Sequence, residues 1–302
     1  MNTNNLQTIQ KAYKRGENIV QYLKKGSKSK NTNEMVMISY DLQSGSYIKQ
    51  AKKASAFHER YTKAIASAIN RLGVSCTSIL EAGVGEATTL AHLVPKLEPV
   101  PKKVYGFDLS WSRVRYAIAY MKRQKIHGAS LFTGDLFNIP LADHSIDIVY
   151  TSHSIEPNGG REKEALLELA RVAKKYLVLL EPAYEFAGKE ARERMRKHGY
   201  IKHLYASARS LGLNVVEHRL FDEYLNPLNP TGLMVIQISS KKRSLIKNPF
   251  SCPITKTPVE LLKGAYFSKQ GLFVYPIIDG VPCLLKDNGI IATHFTDSFS
   301  NL

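Results

Sequence analysis

From residue 76 to about residue 240, short apolar runs rich in Val, Ile, Tyr and Phe alternate with longer stretches whose apolar residues recur every three or four positions. Short apolar runs bounded by turn residues read as strands buried on both faces, and the longer spaced stretches read as helices. The pattern predicts strands at 78–81, 103–108, 129–133, 146–151, 176–181, 214–220 and 233–239. Helices are predicted between them, over 112–124, 161–174 and 202–211, the last stopped by Gly212. Ahead of this block, 51–72 reads as one helix closed by Gly73, preceded by a loop over 39–50 that carries Tyr40 and Tyr47. Strand and helix in alternation predict an α/β fold: a seven-stranded, mostly parallel sheet with helices on both faces. An N-terminal helical segment precedes it, and a small β-rich C-terminal module follows.

One turn within that pattern carries chemistry. The run SILEAGVGEATT, residues 78–89, places Glu81, Gly83 and Gly85 where a strand must turn into a helix. Two glycines two apart let the backbone approach a ligand closely, and the helix start offers free N–H groups. A dinucleotide fingerprint needs a third glycine three residues on, and Thr88 stands there. A carboxylate beside the turn also repels a pyrophosphate and suits a cation. Asp108 closes the second predicted strand, where a carboxylate can accept hydrogen bonds from both hydroxyls of a ribose. A third element, GDLFNIPLADHSIDIVYTSHSIE, spans residues 134–156.

In this order the three elements resemble the motifs of class I S-adenosylmethionine-dependent methyltransferases, in particular the group that includes the quinone-biosynthesis methyltransferases. That resemblance implies a Rossmann-like sheet of seven strands and S-adenosylmethionine as cofactor. Carried onto this chain it makes Glu81, Gly83, Gly85, Asp108 and Leu109 cofactor-binding residues, with Asp135 fixing the adenine amino group and Leu136 flanking it. Ser152 follows on the fourth strand, and Tyr47 and Tyr40 are candidates for a lid, since similar families place an N-terminal aromatic segment over the cofactor.

Methyl transfer to oxygen or nitrogen needs an aligned nucleophile and, where it is protonated, a base. Ligands bind beyond the carboxyl ends of the strands in such sheets, which points to residues 151–160 after the fourth strand. There His153 has the pKa range of a general base, Glu156 can assist it or bind a cation, and Asn158, Gly159 and Gly160 can offer backbone N–H groups. Glu181 and Tyr184 are further pocket candidates, and Arg192, Arg194 and Arg196 could grip a phosphate or carboxylate. The segment lacks the [DN]PP[YF] sequence of amino-methylating nucleic-acid enzymes, which lowers the prospect of base N-methylation.

Residues 252–256 and 275–285 resemble the small zinc-ribbon-like proteins that accompany methyltransferases, in which CPxC opens the module and YPIxDGIPxLL closes it. Here Thr255 occupies the second cysteine position, so no structural zinc is expected and no metal site is assigned. The module is then expected to hold by Phe250, Leu261, Leu262, Phe273, Ile277 and Leu284, packed on the main domain. The chain divides as 1–50, 51–240 and 241–302, with a charged linker over 241–248.

A net charge of +16 favours anionic partners, and the basic residues fall in groups around Lys11–Lys30, Lys49–Lys53 and Arg192–Lys197. Three cysteines without a close pair, no long apolar run and a polar N-terminus fit the cytoplasm and no membrane span. The functions left open are methyl transfer to a polar, anionic small molecule such as a sugar or nucleotide-sugar precursor, methyl transfer to RNA, and cofactor binding without catalysis. Oligomeric state is not written in the sequence.

Overall fold

A computed structural model of the chain describes residues 6–24, 31–239 and 248–298. Lys25, Lys28, Lys30 and linker residues 241–247 lie outside the described residues. The N-terminal part is helical: α1 (Leu6–Lys14), α2 (Ile19–Lys24), α3 (Asn33–Leu42), α4 (Ser46–Lys53) and α5 (Ser55–Asn70). The main sheet contains β1 (Ser78–Ala82), β2 (Lys103–Asp108), β3 (Ser130–Thr133), β4 (Ile146–Ser152), β5 (Ala173–Pro182), β6 (Asn214–Leu220) and β7 (Thr231–Gln237). Helices α6 (Thr88–Leu93), α7 (Trp111–Arg123), α8 (Glu162–Val172), α9 (Lys189–His198) and α10 (Leu204–Ser210) fall between those strands.

The strands lie in the order β3-β2-β1-β4-β5-β7-β6. The first five are parallel, and β7 runs antiparallel to both β5 and β6. All five residues of β1 are buried, as a central strand covered on both faces requires. Alternate side chains serve two cores. Ile79, Ile148 and Val178 join Ile65, Leu90 and Val114 of α5, α6 and α7. Leu80, Val149 and Leu177 join Leu166, Leu169 and Ala208 of α8 and α10.

The predicted fold class stands, and four local readings are corrected. Residues 39–50 form the end of α3 and the start of α4 instead of a loop; Gly45, at φ +87°, makes the sharp turn between them. The helix expected over 51–72 breaks at Ala54, whose φ −111° and ψ 40° leave the helical region. Strand β5 starts at Ala173, inside the helix expected over 161–174, because Ala173 already pairs with Ile146. Leu261 and Leu262 are 63% and 38% exposed, on the terminal strand of the C-terminal sheet, and hold no core.

The C-terminal strands are β8 (Glu260–Leu262), β9 (Ala265–Ser268), β10 (Phe273–Tyr275), β11 (Ile277–Ile278), β12 (Val281–Pro282) and β13 (Ile290–Ile291). Phe250, Cys252, Val259, Tyr275 and Leu284 are buried in the same cluster as β2, β3 and α8, so the module shares the main core. The Phe250 ring meets Phe132 edge-on at 5.1 Å and Tyr105 at 6.1 Å. The Cys252 thiol contacts the Tyr275 hydroxyl at 3.1 Å and accepts from the Thr255 N–H at 3.4 Å. All three cysteines are free and buried.

Phe250→Ala should destabilise the whole protein by about 3 kcal/mol, the cost of deleting a buried ring. Urea unfolding monitored through the main sheet checks this. A loss below about 1 kcal/mol would mean that the module contributes little to the main core.

Candidate active site

A cavity of about 490 Å³ opens at the carboxyl ends of β1, β2 and β4. The strands position its floor. Gly83, Gly85, Glu81, Asp108, Leu109, Leu136, Ser152, His153 and Glu156 all line it, and so does Tyr47 from α4. The glycine turn is tight for a stated reason: a Cβ on Gly83, already at φ +77°, would stand 2.2 Å from the Ser154 Cβ. Gly85, at φ +53°, donates its N–H to the Asp108 carboxylate at 3.0 Å, and Ser110 N–H donates to its other oxygen at 2.9 Å. Burial pushes the Asp108 pKa up, against the Arg113 charge and those two N–H bonds.

Glu81 is buried and accepts the Tyr150 hydroxyl at 2.8 Å. Burial pushes its pKa up to about 8, despite that bond and a backbone bond from Leu90. Such a carboxyl is poised to ionise when a cation arrives.

Helices α3 and α4 roof the cavity, and three ties hold them. The Glu86 carboxylate, 1% exposed, accepts the N–H groups of Gly45, Tyr47 and Ile48 at 2.8, 3.3 and 2.8 Å, at the start of α4. Asp41 accepts the Ser110 and Ser112 hydroxyls at 2.6 and 3.1 Å. Arg113 donates from Nε to the Tyr40 carbonyl at 2.9 Å, with its guanidinium 4.7 Å from the Tyr40 ring centre and 4.3 Å from that of Tyr47. Its Nη2 is buried without a partner.

Asp135 is not brought to the cavity. Its carboxylate accepts Asn33 Nδ2 at 2.8 Å and the Phe137 N–H at 2.9 Å, while Asn33, Gly134, Leu136 and Phe137 around it line the cavity. Burial raises its pKa.

At the β4 end, His153 takes a left-handed φ of +56°, which a side chain other than glycine adopts only where its surroundings enforce it. Nδ1 lies 2.6 Å from Glu156 Oε2 and Nε2 lies 2.8 Å from Thr231 Oγ1. Burial alone would lower the His153 pKa, but the hydrogen bond and charge of Glu156 raise it above its ordinary 6.5. Burial would raise Glu156, and the bond and charge of His153, helped by Tyr200 and Asn229, hold it below its ordinary value. The two lie at ion-pair distance and carry opposite charges when His153 is protonated. The loop that carries them is fixed by Glu181, whose carboxylate accepts the N–H groups of Ser154, Ile155 and Glu156 at 3.0, 3.1 and 3.0 Å. Burial pushes Glu181 up to about 7.

Glu181 thus supports the loop from behind. Tyr184 lies outside the cavity, and Asn158 lines it without Gly159 or Gly160. The arginine group separates: Arg192 and Arg196 bind Tyr184 and the Glu185 carbonyl, and only Arg194 reaches the cavity. Sequence reasoning missed Glu86, Arg113, Asn229 and Thr231. Glu86 follows the glycine turn directly and was open to notice; Asn229 and Thr231 come from the far strand β7 and its loop, with no motif to mark them.

Residues 79–176 match the family of the methyltransferase domain. The likeness to a methyltransferase domain covers β1 to the middle of β5. No curated protein matches the sequence. The methyltransferase domain and its flanks are similar to magnesium protoporphyrin IX methyltransferase of Synechocystis PCC 6803 with bound S-adenosylhomocysteine, at 15% identity and a TM-score of 0.54 over 69% of this chain and 100% of that one. The same enzyme with bound S-adenosylmethionine gives a TM-score of 0.51 at 15% identity, over 70% of this chain and 100% of that one. A chain from the complex between the Haloferax volcanii Trm112 methyltransferase activator and its proposed methyltransferase gives 0.52 at 17% identity, over 67% of this chain and 98% of that one. At such identities the likeness is one of fold.

The methyl donor of such a methyltransferase domain is S-adenosylmethionine, and the donor set fits it. Asp108 suits a ribose diol, the ionisable Glu81 suits the cationic end, and the orphaned Arg113 Nη2 suits a carboxylate. Among the described residues no group of three or more His, Cys, Asp or Glu could hold a metal ion. No helix among them is long and apolar enough to cross a membrane.

Glu81 is protonated in the folded protein up to about pH 8, whereas an exposed glutamate releases its proton near 4.5. The folded state therefore holds the extra proton between those values, and stability without cofactor falls as pH rises through that window. Glu81→Gln should flatten the decline in denaturant titrations from pH 5 to pH 8; an identical slope in both proteins would refute the assignment. Asp108→Ala should weaken S-adenosylhomocysteine binding about 100-fold, from two lost hydrogen bonds to a charged group. Calorimetry showing unchanged affinity would mean that the ribose lies elsewhere.

Proposed function

We propose that the chain transfers the methyl group of S-adenosylmethionine to an oxygen or nitrogen of a polar, anionic small molecule, such as a sugar or nucleotide-sugar precursor, with His153 and Glu156 handling the proton. One observation carries this reading: a single cavity joins the Glu81–Asp108 end to the partly exposed His153–Glu156 pair. At about 490 Å³ it has the size of a pocket for one drug-sized ligand, so donor and acceptor must share it. A compact acceptor, or one compact end of a larger one, suits that space.

S-adenosylmethionine supplies, when bound, a methyl carbon on a positively charged sulfur with a neutral thioether as leaving group. The protein's part is alignment and proton removal. With Nδ1–H kept on Glu156, an acceptor hydroxyl or amine that replaces Thr231 at Nε2 gives its proton to the imidazole, and the carboxylate stabilises the resulting charge. Helices α3 and α4 cover one side of the cavity and limit the approach of water to this step.

A net charge of +16 keeps RNA as the second reading. Incubation with labelled S-adenosylmethionine and either total RNA or a small-metabolite extract separates the two. Label is expected in the metabolites. Label confined to RNA would refute the small-molecule reading, and label in neither, with cofactor bound, would leave a non-catalytic binding protein.

The imidazole accepts a proton only in its neutral form, so the rate should rise with pH through a His153 pKa above 6.5. His153→Ala should lower the rate about 100-fold or more and remove that rise. Full turnover by the variant would take His153 out of the reaction.

A further inference from the structure

Most polar groups around Glu156 are paired with one another, and buried atoms of Asn229, Arg194 and Ser154 among the cavity-lining residues are left over. Asn229 donates from Nδ2 to both Glu156 oxygens at 3.3 Å, and the Tyr200 hydroxyl also binds that carboxylate. Asn229 Oδ1 is buried with no partner. Arg194 reaches in from α9 with its guanidinium 5.5 Å from the Tyr200 ring centre, and its Nη1 is likewise buried with no partner. Both residues line the cavity.

Buried polar atoms in native proteins almost always find a partner, so unpartnered atoms on residues of a cavity wall are candidates to meet a ligand's polar groups. Their chemistry differs. Arg194 Nη1 is a charged donor and wants an oxyanion; Asn229 Oδ1 is an acceptor and wants an O–H or N–H. Both residues neighbour Glu156, Asn229 directly and Arg194 through Tyr200, which places them at the same end of the cavity. The Glu156 charge opposes an anion at this end, and the hydrogen bonds it makes with His153, Asn229 and Tyr200 disperse it. Arg113, which packs between Tyr40 and Tyr47 near Asp108, would meet the cofactor's own carboxylate, which leaves this end to the acceptor.

We propose that Arg194 and Asn229 form the acceptor-recognition end of the cavity, and that the acceptor is a compact molecule bearing a carboxylate or phosphate for Arg194 and an O–H or N–H for Asn229. This rests on the reading of the chain as a methyltransferase with a small-molecule acceptor, and it assigns a residue to the anion that the reading requires. The second orphan adds a demand that charge alone does not make: an acceptor with an anionic group and no O–H or N–H nearby leaves Asn229 Oδ1 unpaired, and is disfavoured.

The test uses the full chain saturated with S-adenosylhomocysteine and three probes: 4-hydroxybenzoate, 4-hydroxyphenyl phosphate and the neutral 4-hydroxybenzamide. Calorimetry should show at least one of the two anions binding about tenfold or more tightly than the amide, and which one does so separates carboxylate from phosphate. Arg194→Gln should remove that preference while S-adenosylhomocysteine affinity stays within about twofold. Arg194→Lys, which keeps the charge without the fork, should retain part of it, and it carries the test if the Gln variant fails to bind the cofactor product. Equal binding of amide and anions, an anion preference that survives Arg194→Gln, or no binding of either anion would overturn the proposal. Failure of S-adenosylhomocysteine itself to bind the unaltered chain would sink the methyltransferase reading instead.

Discussion

Buried carboxylates that accept main-chain N–H groups hold this molecule's functional end together. Glu86 gathers three at the start of α4, Glu181 gathers three in the loop after β4, and Asp108 gathers two from the glycine turn and the start of α7. Each satisfies backbone donors that helix starts and tight turns cannot pair internally. Because a carboxylate reaches only a few ångströms, the donors are drawn to one point. The cavity therefore has its shape before any ligand enters, and little ordering remains to be done on binding.

The same device carries a cost at Glu81, which has a tyrosine hydroxyl and one backbone bond in place of a nest of N–H groups. Its carboxyl is left partly unsupported, and burial drives it toward the neutral form. The contrast between Glu81 and Glu86, five residues apart in the same turn, shows how the two can differ. One is occupied with structure, and the other is left able to gain charge when a cation is present.

The sheet was legible because its strands are buried on both faces, and continuous apolar runs such as residues 78–82 survive any detail of packing. The glycine turn and Asp108 were legible because backbone conformation and ribose chemistry leave few residue choices. Residues 39–50 misread as a loop because Ser44 and Gly45 do mark a turn, while the group that completes the next helix start is Glu86, forty positions away. Asp135 sits where the motif places it, yet its partner Asn33 comes from the N-terminal helices, which no local pattern connects to β3. The acceptor wall was hidden for the same reason: Arg194 belongs to α9, and Asn229 and Thr231 to β7 and the loop before it, two segments that meet only after β7 folds back against β5. What depends on one segment can be read in order; what depends on contacts between distant segments cannot.

The C-terminal segment bears on more than the core. Cys283 bridges to Thr133 in parallel, and the Leu284 N–H donates to the Thr133 hydroxyl at 3.0 Å, so the returning chain lies along β3, the outermost strand on that side. That side of the sheet is thereby screened from pairing with another molecule. The opposite outermost strand, β6, carries a register shift between Val215 and Glu217 and the charged pair Glu217 and Arg219, which make it a poor template for a foreign strand. A half-made chain that ends before residue 281 would have β3 uncovered. Its resistance to sticking to its own kind during synthesis is therefore gained only when residues 281–284 reach β3.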